Sequence, residues 1–165
     1  MLILFKRIRS FKNRILQLLA LYMPGASSFR VWMHRLRGVK IGKGSFIGTA
    51  AILETEYPDR IIIGANVGIG IRSIIIAHTS DQTILNPSAT VVIEDEVFVG
   101  PGVIILPNVT IGKGSVITAG SVVKISVPPG TLVEGNPARA VAKCGIPLSP
   151  KTSYSEFIAR LRPIK

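Results

Sequence analysis

The sequence has 165 residues, enough for one domain of ordinary size, and 47% of them are hydrophobic, which supports a sizeable core and argues against disorder. Aromatic residues make up only 6%, against 16 glycines and 11 prolines, a balance typical of short strands joined by tight corners. Cys144 is the single cysteine, so no disulfide can form within the chain, which fits a reducing compartment.

Charge is distributed unevenly along the chain. Lysine and arginine number 20 against 9 acidic residues, for a formal net charge of +11, and half of the basic residues lie at or before Lys43. No acidic residue occurs before Glu54. The rest of the chain is nearly neutral, so the charge belongs to an N-terminal arm and not to a groove that would follow phosphates. Nucleic acid is therefore not an expected partner.

Two helices are predicted in this arm. Residues 1–23 place apolar side chains three and four positions apart, which draws one stripe along a helix with basic residues on the other side. The stripe consists of Leu4, Phe5, Ile8, Phe11, Ile15, Leu18, Leu19 and Tyr22. A second helix is expected from Phe29 to Arg37, capped by Ser27 or Ser28 and ended by Gly38.

The location and role of the arm follow from its length and charge. The uncharged stretch from Ile15 to Met23 is too short to cross a bilayer, and no clear small-residue cleavage pattern follows it. A cytoplasmic protein is therefore expected. Two roles stay open: the arm caps the rest of the fold or contacts another copy of the chain, or residues 1–23 dock on the inner, anionic face of a membrane.

Between Val39 and Val127 a large aliphatic residue returns at every sixth position, except at two interruptions. The most regular series is Ile93, Val99, Ile105, Ile111, Ile117 and Val123, with a small or β-branched residue four positions after each. This period predicts a parallel β-helix, whose coils contain three short strands separated by turns. Each inward side chain stabilises the fold by roughly 1.5 to 3 kcal/mol when it stacks on the next coil, as Ile93 is expected to stack on Ile111.

The ends of the repeat and one interruption are also visible. The run Glu54 to Arg60 displaces the register by four residues and is interpreted as a corner loop. Pro128, Pro129 and Gly130 end the repeat, and Ser153 with Glu156 at the spacing of a capping box predicts a helix from Tyr154 to Leu161. The predicted units are an N-terminal arm (1–38), a β-helix domain (39–143) and a C-terminal tail (144–165).

A second interruption precedes Ile93. There the register would place Asp81 and Pro87 in the core, where neither residue fits. Residues 77–90 are therefore predicted to leave the β-helix as a loop, and a loop on a rigid scaffold is a common place for function. His78 lies at the start of this loop.

The segment VVIEDEVFVGPGVIILPNVTIGKGSVITAGSVV, followed by VPPG and GNPAR, resembles the hexapeptide-repeat acyltransferases. It is similar to the galactoside, maltose and serine acetyltransferases and to the streptogramin acetyltransferases, over about residues 39–143. The resemblance implies an all-β left-handed parallel β-helix. Within the family, the arrangement is most similar to acetyltransferases that modify sugars or surface polysaccharides.

The resemblance also implies a mechanism. Members of the family are homotrimers that bind acetyl-CoA as co-substrate between neighbouring β-helices, and a loop histidine acts as general base. His78 occupies that position, and an imidazole that titrates near neutrality can remove the proton of an attacking hydroxyl. Asp81 is the preferred partner to orient the ring, with Glu54 and Glu56 from the preceding coil as alternatives. No metal is expected.

Three positions match family residues around the acyl donor, and a fourth, Lys124, lies one residue before a match. Phe98 stands where related sugar acetyltransferases have a tryptophan that walls the site, and Ala119 matches a backbone contact to the pantetheine arm. Arg139, in GNPAR, matches the basic residue near the CoA phosphates. Lys124 departs from the pattern, because the family's lysine lies one residue later. Thr49 stands where the sugar enzymes have an asparagine, which leaves the sugar class of acceptor open.

Rival functions are less well supported by the residues. A zinc carbonic anhydrase on this fold needs three histidines, and the chain has only His34 and His78. His34 is interpreted as a solvated or partly packed helix residue, and Cys144 as a structural thiol. The predicted function is acetyl transfer to a saccharide hydroxyl, with a role in polysaccharide biosynthesis; an amine or non-sugar acceptor, or a non-catalytic scaffold docked through its basic arm, are the alternatives.

Overall fold

The computed structural model describes residues 2–78, 90–149 and 152–164, with side chains described from Ile8 onward. Within these residues the chain forms two N-terminal helices, a parallel β-helix and a C-terminal extension. The helices are α1 (Leu2–Tyr22), α2 (Phe29–Arg37) and α3 (Tyr154–Ala159). None of these described helices has both the length and the apolar character needed to cross a membrane.

Each of four coils contributes three short strands to the β-helix. The first coil contains β1 (Lys40–Ile41), β2 (Phe46–Ile47) and β3 (Ile52–Leu53), and the second contains β4 (Ile61–Ile63), β5 (Gly68–Ile69) and β6 (Ile74–Ile75). The third contains β7 (Val91–Ile93), β8 (Phe98–Val99) and β9 (Ile104–Ile105), and the fourth contains β10 (Thr110–Ile111), β11 (Val116–Ile117) and β12 (Val122–Val123). Equivalent strands pair in parallel, which builds three sheets: β1–β4–β7–β10, β2–β5–β8–β11 and β3–β6–β9–β12.

The core is a column of stacked aliphatic side chains. Ile93 pairs in register with Ile111, and Ile105 pairs with Val123, as the six-residue period predicts. Each of these four side chains is at most 2% exposed. The stacking fixes the position of every corner between two strands, because the backbone on either side of the corner is held by its neighbours.

Strand register confirms both predicted interruptions. Ile41 pairs with Ile63, which leaves four residues more than a regular coil of eighteen, and the extra length contains a 3-10 helix, Pro58–Arg60. Ile63 in turn pairs with Ile93, which leaves twelve residues more than a regular coil. Most of the predicted loop, including Asp81, falls on residues 79–89, which lie outside the described residues.

The C-terminal residues add three strands beyond the four coils. The strand β13 (Thr131–Glu134) pairs in parallel with β11, β14 (Arg139–Cys144) pairs antiparallel with β13, and β15 (Leu161–Pro163) pairs antiparallel with β14. Ser153 caps α3 by accepting a hydrogen bond from the Glu156 N–H at 3.2 Å. The helix ends at Ala159 and not at Leu161, because Leu161 belongs to β15.

The two N-terminal helices have the predicted extent, but the apolar stripe of α1 faces outward. Phe11, Leu18 and Tyr22 are 69%, 61% and 76% exposed, whereas Asn13 and Gln17 on the opposite side are buried. Ser28, one of the two predicted caps, occupies the N-cap position of α2 but makes no side-chain capping hydrogen bond. Gly38 ends α2 as expected, in the left-handed conformation with φ of 111°.

The inward face is polar because it covers a polar edge. The first coil has no preceding coil to accept or donate its backbone hydrogen bonds, and three arginines of α2 supply the donors. Arg35 Nη2 donates to the Ile41 carbonyl of β1 at 2.8 Å, Arg30 Nη1 to the Ile47 carbonyl of β2 at 2.6 Å, and Arg37 Nη2 to the Leu53 carbonyl of β3 at 2.7 Å. Each strand of the first coil therefore has one arginine, and the arm caps the β-helix.

His34 is part of this buried layer, so its interpretation as a solvated or partly packed residue is wrong. Its ring is 0% exposed, and its Nδ1 lies 2.9 Å from Arg37 Nη1. Burial, together with the charges of Arg37 and Arg30, lowers the pKa of His34 to about 3. His34 is therefore a neutral acceptor for Arg37, which holds that arginine in place.

The capping role predicts a stability difference between two arginines. Arg30→Met keeps an apolar side chain of similar length. It removes the donor to three carbonyl groups, those of Ala20, Met23 and Ile47. The free energy of unfolding should fall by roughly 3 kcal/mol or more in denaturant titrations. The control Arg72→Met, at an exposed turn position, should change it by less than about 0.5 kcal/mol. Equal losses in the two variants would contradict the capping role.

Candidate active site

The two interruptions of the repeat meet at one corner of the β-helix. One follows β3 and the other follows β6, and these strands are neighbours in one sheet, with Leu53 paired to Ile75. Neighbouring strands lie about 4.8 Å apart, so the residues that follow them are close together. Glu54 leaves the first coil here, and His78 leaves the second.

Glu54 and His78 form a direct pair. Glu54 Oε2 lies 2.5 Å from His78 Nδ1, the Glu54 side chain is 2% exposed, and the His78 side chain is 40% exposed. Of the three carboxylates considered as partners, Glu54 is the one whose contact with His78 the described residues show. The described part of the chain has no group of three His, Cys, Asp or Glu side chains arranged to hold a metal ion.

Four donors surround the Glu54 carboxylate. Its Oε2 also accepts the Ala77 N–H at 3.0 Å, while Oε1 accepts the N–H groups of Glu56 and Tyr57 at 2.8 and 3.3 Å. Burial alone would raise the pKa of Glu54, but the hydrogen bonds from His78, Ala77 and Glu56 outweigh it and hold the pKa below its usual value. Glu54 is therefore an ionised and fully hydrogen-bonded carboxylate.

The extra residues of the first coil support the imidazole in a second way. Tyr57 packs edge-on against the His78 ring, with centroids 5.9 Å apart and an interplanar angle of 61°. The Arg60 guanidinium lies over the ring of Tyr57, 4.2 Å from its centre, in a cation–π contact. The corner loop thus fixes the His78 ring in two ways: Glu54 accepts a hydrogen bond from it, and Tyr57 packs against it.

The N-terminal cap reaches the same corner. Arg37, besides bonding the Leu53 carbonyl, donates to the Glu54 carbonyl and to the Gln17 side chain of α1. Burial lowers the pKa of Arg37 to about 10, with the Glu54 carboxylate acting in the opposite direction, so the guanidinium stays charged at neutral pH. The backbone that carries Glu54 is therefore held from the side of the arm.

A cavity of about 630 Å³ opens beside this pair. Glu54, Glu56 and His78 line it at the corner, and apolar side chains from the outer surface of the β3–β6–β9–β12 sheet and from the next corner line the rest, among them Ile52, Ile74, Leu106 and Pro107. A small polar edge thus borders an apolar floor, an arrangement typical of a site for an organic substrate.

The pair has a defined acid–base capacity. A carboxylate only accepts hydrogen bonds, so Nδ1 of the neutral imidazole must carry the proton toward Glu54, and Nε2 keeps its lone pair. The ring can therefore accept a proton at Nε2, and the Glu54 charge stabilises the imidazolium that results.

The predicted donor-site residues lie farther along the β-helix. Lys124 follows β12 and lies at the same corner as Ile76, two coils beyond it. The backbone hydrogen bonds from the Ile76 N–H to the Ile105 carbonyl and from the Leu106 N–H to the Val123 carbonyl connect these coils. Arg139 begins β14 beside Ala138, whose N–H bonds the Val122 carbonyl at 2.8 Å. Both cations are exposed at this end of the β-helix. Ala119 is exposed in the turn at the other edge of the same sheet, before β12.

Phe98 is not brought together with His78 in one chain. It lies on the β2–β5–β8–β11 sheet and lines a separate cavity of about 680 Å³. Phe46 lies in the same cavity, and the absence of a side chain at Gly68 lets both rings approach, since a Cβ there would lie 2.7 Å from Phe46 and 3.2 Å from Phe98. Thr49 belongs to the N-terminal cap, where its hydroxyl accepts a hydrogen bond from Arg30 at 3.2 Å.

Several known proteins are similar to this chain in sequence or in structure. Residues 90–124 match the family model described as bacterial transferase hexapeptide (six repeats). Over 138 residues the chain is 34% identical to the Bacillus subtilis (strain 168) protein named "Putative acetyltransferase YvoF", a match that covers 81% of this chain and 77% of that protein. The β-helix is left-handed, and the chain belongs to the family of hexapeptide-repeat transferases.

A more distant relative and two solved structures extend the comparison. The chain is 34% identical over 102 residues to the 2,3,4,5-tetrahydropyridine-2,6-dicarboxylate N-acetyltransferase of Staphylococcus aureus (strain bovine RF122 / ET3-1), covering 61% of this chain and 39% of that protein. A hexapeptide-repeat acetyltransferase of Vibrio cholerae O1 biovar eltor, complexed with acetyl coenzyme A, has a TM-score of 0.66 and 28% identity over 83% of this chain and 87% of its own. The maltose O-acetyltransferase of Clostridium difficile 630 has a TM-score of 0.53 and 26% identity, over 84% and 85%.

The hydrogen bond to Glu54 predicts the tautomer of His78. At alkaline pH the neutral ring should carry its proton on Nδ1, which nitrogen-15 chemical shifts distinguish from the Nε2–H form. Glu54→Leu removes the acceptor and should redistribute the proton toward Nε2. The His34→Asn variant identifies the signals of the second histidine. An Nε2–H ring in the wild type would contradict the assigned pair.

Proposed function

We propose that this transferase moves the acetyl group of acetyl-CoA to a hydroxyl of a saccharide, with His78 as general base and Glu54 as the residue that orients it. The single observation that carries the proposal is the contact between Glu54 Oε2 and His78 Nδ1 at 2.5 Å, at the edge of an open cavity. A buried carboxylate that orients a half-exposed imidazole beside a cavity favours a role in chemistry over a role in packing.

The reaction needs one proton acceptor and one electrophile. His78 Nε2 takes the proton of the acceptor hydroxyl as the hydroxyl oxygen attacks the thioester carbonyl carbon of acetyl-CoA. The carbon–sulfur bond then breaks, and the departing CoA thiolate takes the proton back from the imidazolium. Glu54 keeps the ring in the Nδ1–H form before the attack and stabilises its positive charge after it.

The acyl donor is proposed on three grounds. The Vibrio cholerae neighbour is complexed with acetyl coenzyme A and shares most of its length with this chain. The cavity has an apolar floor on which a pantetheine arm can lie, with Ala119 at the far edge of the same sheet. Lys124 and Arg139 supply exposed positive charge at the C-terminal end of the β-helix, suitable for phosphates.

A saccharide hydroxyl is the proposed acceptor, in keeping with the maltose O-acetyltransferase among the structural neighbours. An amine is the second candidate, favoured by the identity to the Staphylococcus aureus N-acetyltransferase. The base serves both reactions, because either nucleophile must lose a proton. A panel of saccharides, amino sugars and amino acids with acetyl-CoA, followed by mass spectrometry of the products, separates the two.

A homotrimer in the cytoplasm, acting in polysaccharide biosynthesis, completes the proposal. Phe98 and His78 line separate cavities on different sides of one β-helix. A site shared between neighbouring copies would combine these two surfaces, which one chain alone does not.

A scaffold without activity is the weaker alternative, because it gives no reason for the paired Glu54 and His78 beside a cavity.

Two neighbouring glutamates test the assignment. Glu54→Gln keeps the shape of the partner but removes the charge that stabilises the imidazolium, so kcat should fall by about tenfold or more. Glu56→Gln removes a charge from the same cavity without breaking the contact to His78, and its effect on kcat should be much smaller. Steady-state rates of CoA release with a competent acceptor give both values.

Stabilisation by the donor separates lost chemistry from lost binding. Acetyl-CoA should raise the unfolding temperature of the wild type and of both variants by similar amounts, since neither glutamate is assigned to the donor. Equal kcat values for the two variants would contradict the role of Glu54. No stabilisation of the wild type by acetyl-CoA would contradict the proposed function as a whole.

A further inference from the structure

Both helices of the arm expose large apolar side chains to solvent. We call the outward side chains of α1 and α2 together the outer arm surface. Its largest exposed members are Ile8, Phe11, Leu18 and Tyr22 from α1, and Phe29 and Trp32 from α2. Phe29 and Trp32 lie side by side, with ring centroids 5.6 Å apart. So many large apolar side chains on one face exceed the scattered exposure of a typical soluble surface.

The outward direction is held by specific contacts. Gln17 Nε2 donates to the Ala51 carbonyl at 3.0 Å, and the Ala50 N–H donates to the Leu21 carbonyl at 2.7 Å. The C-terminal part of α1 is therefore bonded to the first coil at two points. Nearer its start, Arg9 pairs with Asp59 at 2.6 Å. Rotating α1 to bury its apolar stripe would break these bonds and would place that stripe on the polar edge of the first coil.

Exposed basic side chains flank the apolar stripe of α1. Successive residues of a helix are rotated by about 100°, so Lys12 and Arg14 lie on opposite flanks of the stripe that contains Phe11 and Leu18. Both are exposed. Lys12 lies on the side of α2, where its Nζ donates to the Leu36 carbonyl at 3.2 Å. The arginines that cap the strands bond to carbonyl groups, which are neutral. Arg9 is paired with the carboxylate of Asp59.

We propose that the outer arm surface docks the protein on an anionic phospholipid bilayer, with α1 lying in the plane of the interface. Apolar and aromatic side chains on one face with lysine and arginine at its borders are what an interfacial helix requires. A second copy of this surface is the poorer occupant, because pairing would bring two sets of uncompensated positive charge together. An anionic lipid surface supplies the opposite charge and an apolar layer at once.

The inference does not depend on the acetyl-transfer proposal, but it bears on where the site operates. Arg37 contacts α1 through Gln17 and also contacts the Glu54 carbonyl. The docked surface and the His78 site therefore belong to adjoining layers of the molecule, which favours an acceptor carried at the membrane.

Vesicle co-sedimentation of the full chain tests the inference. The wild type is compared on vesicles of phosphatidylcholine with phosphatidylglycerol and on vesicles of phosphatidylcholine alone. The double variant Phe11→Ser, Leu18→Ser removes two exposed apolar side chains, and Ile71→Ser, Ile158→Ser removes two others from exposed positions outside the arm. Because all four residues are largely exposed, both variants should keep the wild-type circular dichroism and oligomeric state.

The expected result is binding of the wild type to the anionic vesicles, weakened by added salt, and at least about a tenfold lower partition coefficient for the arm variant. The control variant should bind as the wild type does. Equal binding of the two variants, or no wild-type binding to anionic vesicles, would overturn the proposal. A change from oligomer to monomer in the arm variant would also overturn it, since the outer arm surface would then be a contact between copies. Enzymatic activity is not part of the readout, so a failed acceptor assignment leaves the result interpretable.

Discussion

The fold of this protein depends on the contact between the inward aliphatic side chain of each strand and its counterpart in the next coil. Ile63 stacks on Ile93 although thirty positions separate them, and Ile41 stacks on Ile63 although four extra residues intervene. The column therefore accepts insertions at corners as long as the inward residues return to their places. This tolerance is what lets a regular scaffold carry an irregular site.

The site follows from where the insertions occur. Both insertions leave the β-helix after neighbouring strands of one sheet. Glu54 and His78, at the start of the two insertions, are therefore held in contact by the pairing of Leu53 with Ile75. Glu54 connects three parts of the molecule, since its carboxylate bonds the second coil and its carbonyl accepts Arg37 from the cap. The charge of the arm thus has a structural use at the first coil as well as the proposed use at a membrane.

The six-residue period predicted the β-helix, because one inward side chain per strand leaves a pattern that the sequence displays directly. His78 was identified for the same reason, as the histidine where that pattern fails. The partner of His78 was harder to predict: Asp81 is nearer in sequence, whereas Glu54 is brought close by strand register. The position of both interruptions after the same sheet was the available signal. Tyr57 and the three capping arginines carry no such signal, because a charged helix face does not reveal which neutral carbonyls it contacts.

The central claim is that His78 removes the proton of the acceptor during transfer from acetyl-CoA. Its most direct test is the rate of acetyl transfer by the His78→Ala variant to an acceptor that the wild type uses, followed by mass spectrometry of the acetylated product. The account predicts a fall in kcat of about 10² to 10⁴-fold while acetyl-CoA still stabilises the variant against unfolding. Transfer by His78→Ala at the wild-type rate would contradict it.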